Sequence, residues 1–203
     1  MNSLANTIYL IENIASQQRG IFTINDLKKF FETYDSSHLS RKIKPLIEAK
    51  FLFKFMRGIY VTKDFNINFL SKRLYPNSVI SLATVLADEL IIGSVPDKTV
   101  YALKLGASKT IKSPLGNLYY FGLSDIKLLT LGVYFKKGLS YADREKAFID
   151  TLYFYQSGHS FYFNIYSDLN LDILDKNKIM QYLTNYRNPK FVSFVKGVLN
   201  ESY

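Results

Sequence analysis

Apolar and polar positions repeat with two different periods along this chain. Leu4, Ile8, Ile11 and Ala15 recur at helical spacing, and the stripe stops at Arg19-Gly20, where glycine suits a helix C-terminus. Thr23 opens a second, short helix: its hydroxyl can cap, Asp26 can reach back, and Leu27, Phe30 and Phe31 face inward. Asp35-Ser36-Ser37 supplies the next turn and N-cap. A third helix follows, with Leu39, Ile43, Leu46 and Ile47 on one stripe and Ser37, His38, Arg41 and Lys44 on the opposite side. Pro45 lies inside it, where a lost backbone bond and a crowded preceding turn cost ~3 kcal/mol in an ordinary interior. The helix is therefore expected to kink or divide there. The period then becomes that of a strand: Phe51, Phe53 and Phe55 alternate with Leu52, Lys54 and Met56, Arg57-Gly58 interrupts, and Ile59-Tyr60-Val61 resumes.

Beyond Lys63–Leu74, which reads as a linker helix or loop, the pattern changes character. Ser78 to Ile91 is strongly apolar and predicts a core helix starting after Ser78 or Ser81. Short β-prone runs at Val100–Lys104, Lys109–Lys112, Leu118–Phe121 and Gly132–Phe135 are divided by Gly106, Pro114-Leu115-Gly116, Gly122 and Gly138. Several strands of one sheet are expected. Asp143 to Tyr153 predicts an amphipathic helix with Ala147, Phe148 and Leu152 inward, and two closing helices are expected around Ile173–Tyr186 and Pro189–Leu199. The fold class implied is α+β: a winged helix-turn-helix over 1-72 followed by a mixed α/β domain over 73-203.

Composition narrows the functional classes. The 203 residues carry 26 basic and 17 acidic side chains, a net charge of +9, and the first 72 residues hold eleven of the basic and six of the acidic ones. That balance suits a polyanionic partner. Cysteine is absent, so disulfides, thiolate zinc sites and cysteine nucleophiles are excluded. With no long uninterrupted apolar run and no basic-then-apolar leader, a cytoplasmic protein without a membrane segment is expected. No cofactor is called for.

A basic-faced helix followed by a short hairpin with arginine at its tip implies a DNA-binding regulator, the helix entering the major groove and the hairpin lying along the backbone or an adjacent minor groove. His38, Arg41 and Lys42 are assigned to groove contacts, with Ser37 and Lys44 flanking. Thr23 and Asn25 are placed against phosphate, and Lys54 and Arg57 reach from the wing. A rival reading is a metal-dependent nuclease, because Pro96-Asp97 and Asp125-Ile126-Lys127 match a spaced Pro-Asp and Asp-x-Lys pattern in which two carboxylates hold Mg²⁺. Both pieces are also plain turn and cap signals. Glu145 suits its helix N-terminus electrostatically, and Lys146 is expected to pair with Asp150 at i,i+4.

Three segments together resemble the AbiEi-type antitoxins of bacterial type IV toxin-antitoxin systems. They are Leu52-Phe53-Lys54-Phe55-Met56-Arg57-Gly58-Ile59-Tyr60-Val61, Tyr75-Pro76-Asn77-Ser78-Val79-Ile80-Ser81-Leu82-Ala83-Thr84-Val85-Leu86, and Ala142-Asp143-Arg144-Glu145-Lys146-Ala147-Phe148-Ile149-Asp150-Thr151-Leu152-Tyr153. Thr84, where the family often has a small residue, and Pro45 in the third helix depart from the family pattern. The resemblance implies a non-enzymatic, two-part protein. Its N-terminal winged helix would repress its own operon by binding double-stranded DNA at promoter repeats. Its C-terminal domain would counter a nucleotidyltransferase-like toxin in phage defence, without requiring a stable complex with it. A regulator unrelated to any toxin, or a C-terminal half serving only in dimerisation, are the other readings of the same residues.

Overall fold

The computed structural model describes residues 4–200 and has an α+β fold in two compact units. Unit 1 runs to Leu70 and includes the Ser113–Leu115 turn; unit 2 comprises Ser71–Lys112 and Gly116 onward.

Unit 1 begins with α1 (Leu4–Gln17). The helix stops where expected, at Gly20, whose φ of +73° lets its amide reach back to the Ala15 carbonyl at 2.8 Å. Ile21–Thr23, of which the pattern singled out only Thr23 as a cap, form a strand, β1, before α2 (Ile24–Phe30). The capping box forms in full: the Asp26 amide donates to the Thr23 hydroxyl at 3.1 Å, and the Thr23 amide donates to the Asp26 carboxylate at 2.7 Å. α3 spans Ser36–Glu48, followed by β2 (Phe53–Met56) and β3 (Ile59–Val61). The strands form an antiparallel sheet in the order β1-β3-β2, with a bulge between Lys54 and Met56. Ile11, Phe22, Leu27, Leu39, Ile43, Leu46 and Leu52 make the core beneath it. Two stripe positions fall outside that core: Leu4 is 43% and Ile47 39% exposed. Pro45 does not divide α3. It forgoes only its own bond to the Arg41 carbonyl, and the Ala49 amide still closes on the Pro45 carbonyl at 3.0 Å, so the helix runs through it.

α4 (Ile67–Leu74) carries the chain into unit 2. There α5 starts at Leu82, after Ser81, the later of the two expected starts, and runs to Asp88, while Val79 and Ile80 before it form a strand, β4. The two β-branched residues pair with strands on both sides, and that pairing decides against the earlier start after Ser78. The remaining strands are β5 (Thr99–Leu105), β6 (Lys109–Ser113), β7 (Gly116–Leu123), β8 (Val133–Lys136) and β9 (Leu139–Ala142), with a short α6 (Ile126–Thr130) before β8. They form a mixed six-stranded sheet in the order β6-β7-β5-β4-β9-β8. α7 (Arg144–Gln156), α8 (Lys176–Leu183) and α9 (Pro189–Asn200) follow.

Successive β7 side chains point to opposite faces and so join the layers. The Phe121 ring lies 4.9 Å from Phe154 of α7, while the Tyr120 hydroxyl donates to the Ser71 carbonyl of α4 at 3.1 Å. α7 is therefore not the half-solvated helix its pattern implied. Glu145, Lys146, Asp150 and Thr151 are buried along with Ala147, Phe148 and Leu152, because α5, α8 and α9 pack around α7 and Phe121 of the sheet meets its Phe154.

Candidate nucleic-acid interface

α3 is fastened at its start by Asp35, whose carboxylate accepts the His38 amide at 2.7 Å; the amides of His38 and then Ser37 hold that carboxyl below the usual aspartate value. With Leu39, Ile43 and Leu46 packed inward, the 100° advance per residue sends Ser37, Arg41, Lys44 and Glu48 directly outward. Ser40 lies beside them and its hydroxyl turns back to the Ser36 carbonyl at 2.9 Å. The sequence reading passed over Ser40, although its spacing from Ser37 and Lys44 puts it next to that face.

The assigned residues do not all share this face. His38 lies on the flank, its Nδ1 3.0 Å from the Thr33 hydroxyl. Lys42 lies on the same flank, 6.0 Å from the centre of the Phe31 ring. Arg41, Lys42 and Pro45 border a groove of about 530 Å³ floored by Leu10, Phe30 and Phe31. On the outer face Lys44 is paired with Glu48 at 3.7 Å, both well exposed. At the hairpin, Lys54 and Arg57 are both exposed, and the tip is tied back by the Ile24 amide, which donates to the Gly58 carbonyl at 2.8 Å. Asn25 is exposed in the first turn of α2, whereas Thr23 gives both its amide and its hydroxyl to Asp26. Apart from Glu48, the outer surface of α3 and the hairpin tip offers cations and hydroxyls, groups that bind phosphate oxygens and the acceptor edge of guanine.

The nuclease pattern does not assemble. β5 and β7 run parallel, with Thr99 opposite Asn117 and Leu105 opposite Leu123. Asp97 precedes one strand and Asp125 follows the other, so they lie beyond opposite ends of a paired stretch that itself spans roughly 20 Å at about 3.3 Å per residue. Asp125 instead caps α6, accepting the Lys127 amide at 2.8 Å. Among the described residues, no group of three or more histidine, cysteine, aspartate or glutamate side chains is arranged to hold a metal ion.

Unit 2 has a second polar constellation, built on α7. Lys146 and Asp150 form the expected i,i+4 ion pair, but in a fully buried setting, and the Ser81 hydroxyl donates to the other Asp150 oxygen at 2.7 Å. Burial drives the Asp150 carboxyl upward against the pull of Lys146 and Ser81, and it stays above the ordinary aspartate value. One turn earlier, buried Glu145 accepts from Arg144 at 2.8 Å and Lys178 at 2.9 Å, and from the Asp175 amide at 3.2 Å. Burial pushes Glu145 up, yet these hydrogen bonds win and leave its carboxyl below the usual range. Asp143 caps α7 through the Lys146 amide at 2.8 Å and accepts from Lys178 at 3.0 Å and the Tyr182 hydroxyl at 2.6 Å. Gly132, at φ +62°, closes over this group: a Cβ there would lie 2.9 Å from both the Asp143 carboxylate and the Tyr182 hydroxyl. Every carboxylate in the network is occupied by donors of the chain itself, so the arrangement ties α5 and α8 to α7. Ser81, Lys178 and Tyr182 carried no sequence signal for this, since they lie more than thirty positions from their partners.

No family model matches the sequence, and no curated protein matches it. Among solved structures the chain is similar to the RV2827C protein from Mycobacterium tuberculosis: TM-score 0.62 at 12% identity, over 95% of this chain and 75% of that one. At that identity the likeness concerns the fold. No helix among the described residues is long and apolar enough to cross a membrane.

Proposed function

We propose that unit 1 is a winged helix-turn-helix that binds double-stranded DNA, with α3 in the major groove and the β2-β3 hairpin as the wing. The observation that carries this reading is the order helix, strand, helix, helix, strand, strand, with the sheet closed as β1-β3-β2 and the outer surface of α3 and the hairpin tip presenting Ser37, Arg41, Lys44, Lys54 and Arg57. Arg41 projects from the middle of the exposed face and is the residue placed to read a base. His38 and Lys42 on the flank, and Asn25 at the start of α2, serve the backbone instead. Thr23 has its polar groups engaged and contributes by holding α2 in place.

The chain as a whole is read as an AbiEi-type antitoxin and autorepressor of a type IV toxin-antitoxin operon. What supports this is the likeness of the wing, the entry to α5 and the start of α7 to that family. Unit 2 would then be the part that counters a nucleotidyltransferase-like toxin.

The test is binding of the full chain to its own upstream DNA and to random-sequence duplex at two salt concentrations. Arg41→Ala should weaken operator binding by about 1–3 kcal/mol while affecting random DNA far less. Equal losses on both would refute the role given to Arg41, and a wild type that does not distinguish the two duplexes at either salt would refute the repressor reading.

A further inference from the structure

The six-stranded sheet has two free edges, and they are built differently. β6 turns Lys109, Thr110 and Lys112 to solvent, charged and polar side chains of the kind that discourage another strand from adding. β8 exposes Tyr134 and Phe135, the latter 78% accessible.

The backbone of β8 is open as well. Lys136 pairs with Leu139 across Lys137-Gly138, whose φ values of 50° and 82° are those of a type I′ two-residue turn. In such a hairpin residues 136 and 139 exchange both hydrogen bonds, and the alternation continues down the ladder to the Asp143 amide, which donates to the Gly132 carbonyl at 2.8 Å. The even-numbered residues of β8 thus spend their amides and carbonyls on β9, while Val133 and Phe135 direct theirs away from the sheet.

We propose that β8 pairs antiparallel with β8 of a second copy of this chain about a two-fold axis, Phe135 opposite Phe135, joining the two six-stranded sheets into one. The argument for a second copy is self-complementarity. In this register Lys136 of each chain lies across from Tyr134 of the other. Tyr134 borders a recess of about 250 Å³ in which Asp143 and Glu145 are already paired with Lys178 and Arg144, so Glu89 is the acid that Lys136 of the mate would meet. Each strand therefore sets its lysine toward Glu89 beside the mate's Tyr134, twice over by symmetry. An unrelated strand would have to supply an apolar side chain and a cation at the same spacing; β8 carries both. The edge is four residues long, so the association is of the weak, small-interface class.

Sedimentation velocity of the full chain from low-micromolar to submillimolar concentration tests this, and it reads nothing about DNA. Wild type should move from monomer toward dimer as concentration rises. Phe135→Lys should remain monomeric throughout with an unchanged thermal midpoint, since the side chain it replaces is exposed. Lys136→Glu should weaken association several-fold, and adding Glu89→Lys should restore part of it. A wild type that stays monomeric over the whole range, or dimers that persist in Phe135→Lys, would overturn the proposal; a monomer that instead takes up an added extended peptide would assign the edge to another chain.

Discussion

α3 and α7 are both thirteen residues long, both start at an aspartate cap, and both contain a lysine four residues before a carboxylate. Their surroundings make these like patterns opposite in consequence. In α3 the Lys44–Glu48 pair is 75% and 64% exposed; in α7 the Lys146–Asp150 pair is 0% and 2% exposed. An exposed i,i+4 pair is worth about 0.3–0.5 kcal/mol, because water solvates both ions almost as well apart as together. A buried pair adds little over an apolar replacement, but breaking it strands a charge where water cannot follow. The same spelling therefore marks a surface free to bind something in one helix and a structural tie in the other.

The largest expected effect comes from splitting the buried pair. Lys146→Met should lower the unfolding free energy by about 3–5 kcal/mol in urea denaturation, and adding Asp150→Leu should return most of the loss. A single variant as stable as wild type would remove the contrast between the two helices.

A pH series gives a smaller and more selective effect. Hydrogen bonds from Lys178 and Arg144 hold the Glu145 carboxyl below its ordinary 4.5, so the stability it contributes is fully present above that pH and is lost as pH falls through the lowered folded value. Wild-type stability should decline on acidification below 4.5, and Lys178→Met, already less stable at neutral pH, should decline less steeply. Parallel pH profiles would show that Lys178 does not set the Glu145 carboxyl. The smallest effect belongs to α3, where Glu48→Gln should change stability by no more than about 0.5 kcal/mol.

Much of unit 1 was legible before any coordinates, because its signals are local. A capping box spans four residues and an amphipathic stripe repeats every turn, so Thr23-Asp26, Asp35 and the buried Leu39, Ile43 and Leu46 of α3 could be named from spacing, though the same stripe took in the exposed Ile47. β1 could not, since three residues acquire strand character only by pairing with Ile59–Val61 far along the chain. In unit 2 the same limit appeared at Val79-Ile80, whose apolar character fits a helix or a strand until β5 and β9 lie beside it. Of the residues proposed for the interface, the pattern placed Ser37, Arg41 and Lys44 outward together, but it took the packed flank of α3 to separate His38 and Lys42 from them.

What the amino-acid order determined by itself, then, was where helices start and stop, which faces are apolar, and that the charge is densest toward the N-terminus. What only the tertiary structure decided was solvent access: that the ions of α7 lie in the interior, that Asp97 and Asp125 stand a sheet apart, and that β8 rather than β6 is the unguarded edge. The reason is physical. Caps and periodicity are interactions within a turn or two, whereas burial is a sum over neighbours that the chain brings in from anywhere along its length.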